Sequence, residues 1–142
     1  IKKFIDDWAD DTIGTKAIFT SLFQDLQHKK DVQIEFHERP GISYSLRGIH
    51  KNRKDRPLFV MIDVIDDEPK QRWLSVCFYG DTTEDPDELG DLIPAGLLGS
   101  DGYCFNLTES GEALEEYVGQ RIQEAYEHAC KGNGIKSAHG SF

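Results

Sequence analysis

Period-two alternation between residues 32 and 79 would gather carboxylates, an imidazole and a guanidinium on one side of a layer of strands. Gln33, Glu35 and His37 alternate with Val32, Ile34 and Phe36; Ser43, Ser45 and Arg47 alternate with Ile42, Tyr44 and Leu46. Successive strand residues point to opposite faces. Continued into the two apolar segments that follow, the same side carries Phe59, Met61 and Asp63, then Trp73, Ser75, Cys77 and Tyr79. Glu35, His37, Arg47, Asp63, Trp73 and Tyr79 are therefore the candidate ligand-binding residues. Aromatic area gives affinity, and a few charged groups fix orientation. Asp63 stands among apolar neighbours. If buried, it would titrate above the ordinary aspartate range, a marker of functional sites. A weaker reading makes His37, Asp63 and Arg47 an enzyme's working face; no catalytic residue is nominated. The plainer alternative leaves these polar groups facing water, or covered by segment 81–101 or the N-terminal arm.

A second cluster is the acidic stretch "YGDTTEDPDELGD", residues 79–91, with six acidic side chains in thirteen. A calcium loop started at Asp85 would place Leu89 and Gly96 where oxygen ligands belong, which excludes an EF-hand. The spacing instead suits a helix start: Asp85 as N-cap, Pro86 at the first helical position, Glu88 at the third, and Gly90 as a stop. The loop Arg47–Arg56 concentrates five basic residues against one acidic one. It reads as a solvated hairpin end, or as a contact for anions. Cys77, Cys104 and His37 match no zinc spacing. The three cysteines are odd in number and widely spaced, as expected of reduced thiols in a cytoplasmic protein. His28 and His128 fall near helix ends. No nucleophile elbow, phosphate loop, dinucleotide fingerprint or H-E-x-x-H occurs, and no cofactor is implied.

The 142 residues suit one domain. Acidic residues outnumber basic ones 26 to 16, giving a net charge of −10. That argues against nucleic-acid binding and against anionic membrane surfaces. No run approaches a membrane span. The chain begins at Ile1 without Met, which leaves open a removed upstream segment.

The elements that would position the face follow from pattern. Residues 1–13 read as a short helix or an arm with packing aromatics. Ile18, Phe19, Leu22, Phe23 and Leu26 mark a helix that Thr15 can cap. Four strands follow as a meander, the last two apolar on both faces and hence central. "LIPAGLLGSDG" reads as an irregular packed loop, and residues 103–107 as a fifth strand. Leu114, Tyr117, Val118, Ile122, Ala125, Tyr126 and Ala129 recur at helical spacing. Thr108 or Ser110 can begin that helix, and Lys131-Gly132 can end it, with 131–142 as a loose tail. The expectation is α+β: an antiparallel sheet of four or five strands with two main helices on one face.

"ISYSLRG", "PLFVMIDVI" and "WLSVCFYG", between a preceding and a following helix, resemble bacterial α+β domains of the group that includes small frataxin-like iron chaperones. Ile42 and Tyr44 match that group's I-x-Y-x-x-P pattern, with Arg47 at the Pro position; the likeness spans about residues 15–80. It implies a two-layer α+β fold and, as an alternative function, iron handling by carboxylates. Asp66, Asp67, Glu68, Asp85 and Glu88 would be the ligands, oxygen donors that suit hard cations. The first reading remains a small binding or interaction domain whose small-molecule or protein partner and oligomeric state the sequence leaves open.

Overall fold

The computed structural model describes residues 1–9, 11–109 and 111–132. The alternating segments form β1 (Val32–Arg39), β2 (Ser43–His50), β3 (Val60–Ile65) and β4 (Trp73–Tyr79), each antiparallel to the one before. Two more strands, β5 (Asp91–Leu97) and β6 (Ser100–Leu107), complete a six-stranded sheet in the order β1-β2-β3-β4-β6-β5. The helices are α1 (Lys2–Asp7), α2 (Thr15–Gln27) and α3 (Glu112–Cys130). Among the described residues the fold is α+β as expected, with six strands rather than four or five and the short helix α1 beside the two main ones.

One face of the sheet is dry. Leu46, Val60, Ile62, Val64, Leu74, Val76 and Phe78 meet Ile18, Phe19, Leu22 and Leu26 of α2 and Val118, Ile122, Ala125 and Ala129 of α3. The α1 segment adds Phe4 and Trp8 to the same core. Each of the valines, leucines, isoleucines and phenylalanines among them contributes about 1.5–3 kcal/mol by leaving water. Close packing here demands glycine at 48, where a Cβ would lie 2.9 Å from Val60 Cγ1. Phe59 joins this side too, its ring 5.9 Å from that of Tyr126. It was expected on the opposite face. The ladder begins only at Val60, so alternation does not reach back to 59, and Leu58 takes the place on the other side. Ile42 precedes β2 and is exposed, so it does not join the dry face.

The expected irregular loop is the β5–β6 hairpin. Its pairing shifts register between Ile93 and Leu97, and Ala95 (φ 54°), Leu98 (φ 51°) and Gly99 (φ 91°) take left-handed backbone. That irregularity brings the tip back over the open face, where Leu97 is fully buried with Leu58, Cys77 and Tyr79.

Several local expectations are corrected. Cys77 and Cys104 stand opposite one another on β4 and β6, Cα atoms 4.2 Å apart, and are joined by a disulfide. Only Cys130 is free. Residues 85–90 form no helix: the Asp85 carboxylate instead accepts the Leu89 and Gly90 backbone N–H groups at 3.0 and 2.8 Å. Gly14, not Thr15, is the N-cap of α2, and the Thr15 hydroxyl donates to the Arg72 carbonyl at 2.5 Å. Gly111 caps α3. The end of α3 does fall at Lys131 and Gly132, the latter at φ 63°. Most of the expected tail, residues 133–142, lies outside the described residues.

Candidate functional site

The ladder register sets the open face in rows. His37, Ser45, Asp63, Ser75 and Asn106 form one row across five strands. Arg39, Ser43, Ile65 and Trp73 form the row on one side of it, and Glu35, Arg47, Met61, Cys77 and Cys104 the row on the other. The middle row is polar throughout, and its β1–β3 end runs into a groove.

That groove holds about 550 Å³. Its floor is His37, Arg39, Ser45, Arg47, Met61 and Asp63 from β1–β3, and the hairpin tip closes one side with Gly96 and Leu98. Ser43 and Ser45 are only 5% exposed because arginines lie over them. Arg39 donates from Nη2 to Ser43 Oγ at 3.2 Å, and Arg47 from Nε to Ser45 Oγ at 3.2 Å. His37 Nε2 contacts Glu35 Oε1 at 3.2 Å at the rim, both half exposed.

Asp63 sits at the centre of the floor. Its Oδ1 is buried and has no hydrogen-bond partner. Burial pushes the carboxyl above its ordinary range; the neighbouring Ser45 hydroxyl and the Arg47 and Arg39 charges pull the other way without prevailing. A buried acceptor left unmade costs about 1–3 kcal/mol, so the fold holds this oxygen in place at a cost.

Of the six nominated binding residues, His37, Arg47 and Asp63 line the groove together. Glu35 touches it through His37. Trp73 shares the face one strand further on, half-buried beside Ile65. Tyr79 is 1% exposed, covered by the hairpin tip, with Arg56 stacked 4.2 Å from its ring. Arg39 and Leu98 were missed: Arg39 reads as part of a turn signal, and Leu98 comes from a segment without alternation.

The alternative metal ligands fall in two separate places. Asp66 is 4% exposed, accepts Arg72 Nε at 2.7 Å and the Gly41 N–H at 2.9 Å, and serves the fold. Asp67 and Glu68 are exposed on the adjoining turn. Asp85 receives the Tyr117 hydroxyl besides its two backbone donors, and Glu88 points from the same loop at φ 55°. Among the described residues no group of three or more His, Cys, Asp or Glu is arranged to hold a metal ion.

The basic loop does not stand out as a positive tip. Arg53 is buried, pairs with Asp55 at 3.2 Å and approaches His128 Nδ1 at 3.4 Å; Arg56 reaches Asp81 at 2.9 Å. A second crevice, of about 350 Å³, runs beside Glu84, Glu124 and His128. Its central carboxylate, Glu124, already receives Thr83, the Glu84 N–H and Arg121, so the open-face groove is the better site.

No protein-family model, curated protein or solved structure matches the chain. No helix among the described residues is long and apolar enough to cross a membrane.

Proposed function

We propose that the protein is a small binding domain that holds a compact polar molecule in the groove between β1–β3 and the β5–β6 hairpin tip. The observation that carries this reading is the unpartnered, buried Oδ1 of Asp63 on the groove floor. Buried polar atoms ordinarily find partners, and an orphan on a side chain that lines a groove is a place where a ligand can supply one once the side chain turns outward. The floor supports the same reading: hydroxyls and guanidiniums for orientation, with Met61 and Leu98 for apolar contact. The Cys77–Cys104 bond favours a compartment that maintains disulfides over the reducing cytoplasm expected from the cysteine spacing. No specific observation favours iron handling.

The test is a thermal-denaturation screen of small polar fragments against the protein and its Asp63→Asn variant. A molecule bound to the folded state raises the midpoint. Fragments that stabilise the parent protein should lose most of that shift in the variant. Hits that shift both proteins equally would place binding elsewhere.

A further inference from the structure

Given the open-face groove as the binding site, on which this rests, we infer that its ligand is a small zwitterion, an ammonium and a carboxylate held close together as in an α-amino acid. Arg39 and Arg47 take the carboxylate and Asp63 takes the ammonium.

The arginines of the chain divide sharply. There are six. Arg53 pairs with Asp55, Arg56 with Asp81, Arg72 with Asp66 and Arg121 with Glu124, at 3.2, 2.9, 2.7 and 3.0 Å. The other two, Arg39 and Arg47, form no ion pair within 4 Å among the described residues; their hydrogen bonds go to serine hydroxyls, and their charges act on Asp63 only from a distance. In a chain with 26 acidic residues against 16 basic ones, carboxylate partners are abundant. Both arginines that lack one border the same groove. A guanidinium presents a planar fork of donors matched to a carboxylate.

Asp63 sets the second half of the recognition. An ionised carboxylate only accepts hydrogen bonds, so the partner of Oδ1 must be a donor. A simple anion would satisfy the arginines and meet Asp63 as a like charge. A simple amine would satisfy Asp63 and meet two guanidiniums. A molecule carrying both signs meets each with its opposite. Arg39 and Arg47 lie in the rows either side of the row of Asp63, so the two kinds of contact are adjacent. Met61 and Leu98 leave an apolar wall for an aliphatic side chain.

The experiment is an NMR titration of the ¹⁵N-labelled protein with three matched probes: L-leucine, its deaminated analogue 4-methylpentanoate and its decarboxylated analogue 3-methylbutylamine. A mixture of neutral fragments is the fourth arm. L-Leucine should move the amides of β1–β3 and the hairpin tip and bind at least about tenfold more tightly than either analogue, the size of one good charged contact. Arg47→Gln should abolish the preference over the amine, and Asp63→Asn the preference over the acid. Groove amides that respond to the acid, the amine or neutral fragments as well as to L-leucine would overturn the zwitterion assignment and leave the groove as a binding site. Groove amides that respond to no probe would overturn both.

Discussion

Asp63 carries an acceptor that the folded chain leaves unused, and its stability cost can be measured separately from any ligand. Burial raises its folded-state pKa above the unfolded value. The folded state therefore holds this proton more tightly. The resulting stabilisation is complete below the ordinary aspartate range and is lost as pH rises through the raised folded value. At neutral pH the ionised group is a burden, so Asp63→Asn should stabilise the protein by about 1 kcal/mol there. The advantage should shrink as pH falls towards about 4, where the parent carboxyl is protonated too. Urea denaturation of both proteins at the two pH values checks this. A variant less stable than the parent at neutral pH would contradict it. Asp63, His37 and Arg47 were readable in the sequence because each alternates with apolar neighbours in a regular strand. Arg39 was not, because it ends β1 beside Pro40 and resembles turn chemistry.

At the level of elements, an ion pair within the β3–β4 turn holds the guanidinium that stacks on the aromatics of the N-terminal segment. Arg72 Nε contacts Asp66 at 2.7 Å, and its guanidinium lies 5.3–5.4 Å from the Phe4, Trp8 and Tyr44 ring centres. Asp66→Ala would leave that largely buried cation without its counter-ion and should cost about 3–5 kcal/mol. A loss below about 1 kcal/mol in chemical denaturation would show the carboxylate to be free for another role. The disulfide closes a separation of 27 residues between β4 and β6. Its reduction should remove about 3 kcal/mol of stability, mainly by enlarging the unfolded ensemble. A thiol assay on the unreduced, denatured protein should find one reactive cysteine, Cys130; three would contradict the pairing. The pattern of β1–β4 was legible because polar and apolar residues alternate, or the run is apolar throughout. β5 was not, since Pro94, Gly96 and the register shift at Ile93–Leu97 break the period. The missed strand is the one that shapes the groove's rim. The disulfide was missed for a different reason: pairing of Cys77 with Cys104 depends on β6 lying beside β4, which sequence spacing does not show.

Across the whole molecule, two histidines contribute to the loss of stability in mild acid. Burial lowers the pKa of His50, and burial together with the Arg53 charge lowers that of His128. Above the ordinary histidine range both states are neutral and nothing is lost. As pH falls through that range the unfolded chain takes up protons that the folded protein resists, so stability declines. Unfolding free energy should be lower at about pH 5.5 than at about pH 7.5, and His50→Gln with His128→Gln should flatten the difference. A parent protein equally stable at both values would contradict this. The metal alternative is tested at the same scale: saturating Mn²⁺ or Ca²⁺ should leave the melting midpoint unmoved, because the nominated carboxylates are dispersed and two of them are occupied by internal donors; a clear rise would revive it. The most direct measurement is a ¹³C-carboxyl NMR pH titration of Asp63 in the free protein. A desolvated carboxyl on the groove floor should titrate above the ordinary aspartate range. Titration within or below that range would mean a solvated or fully partnered carboxylate, and the groove would lose the group on which its proposed role depends.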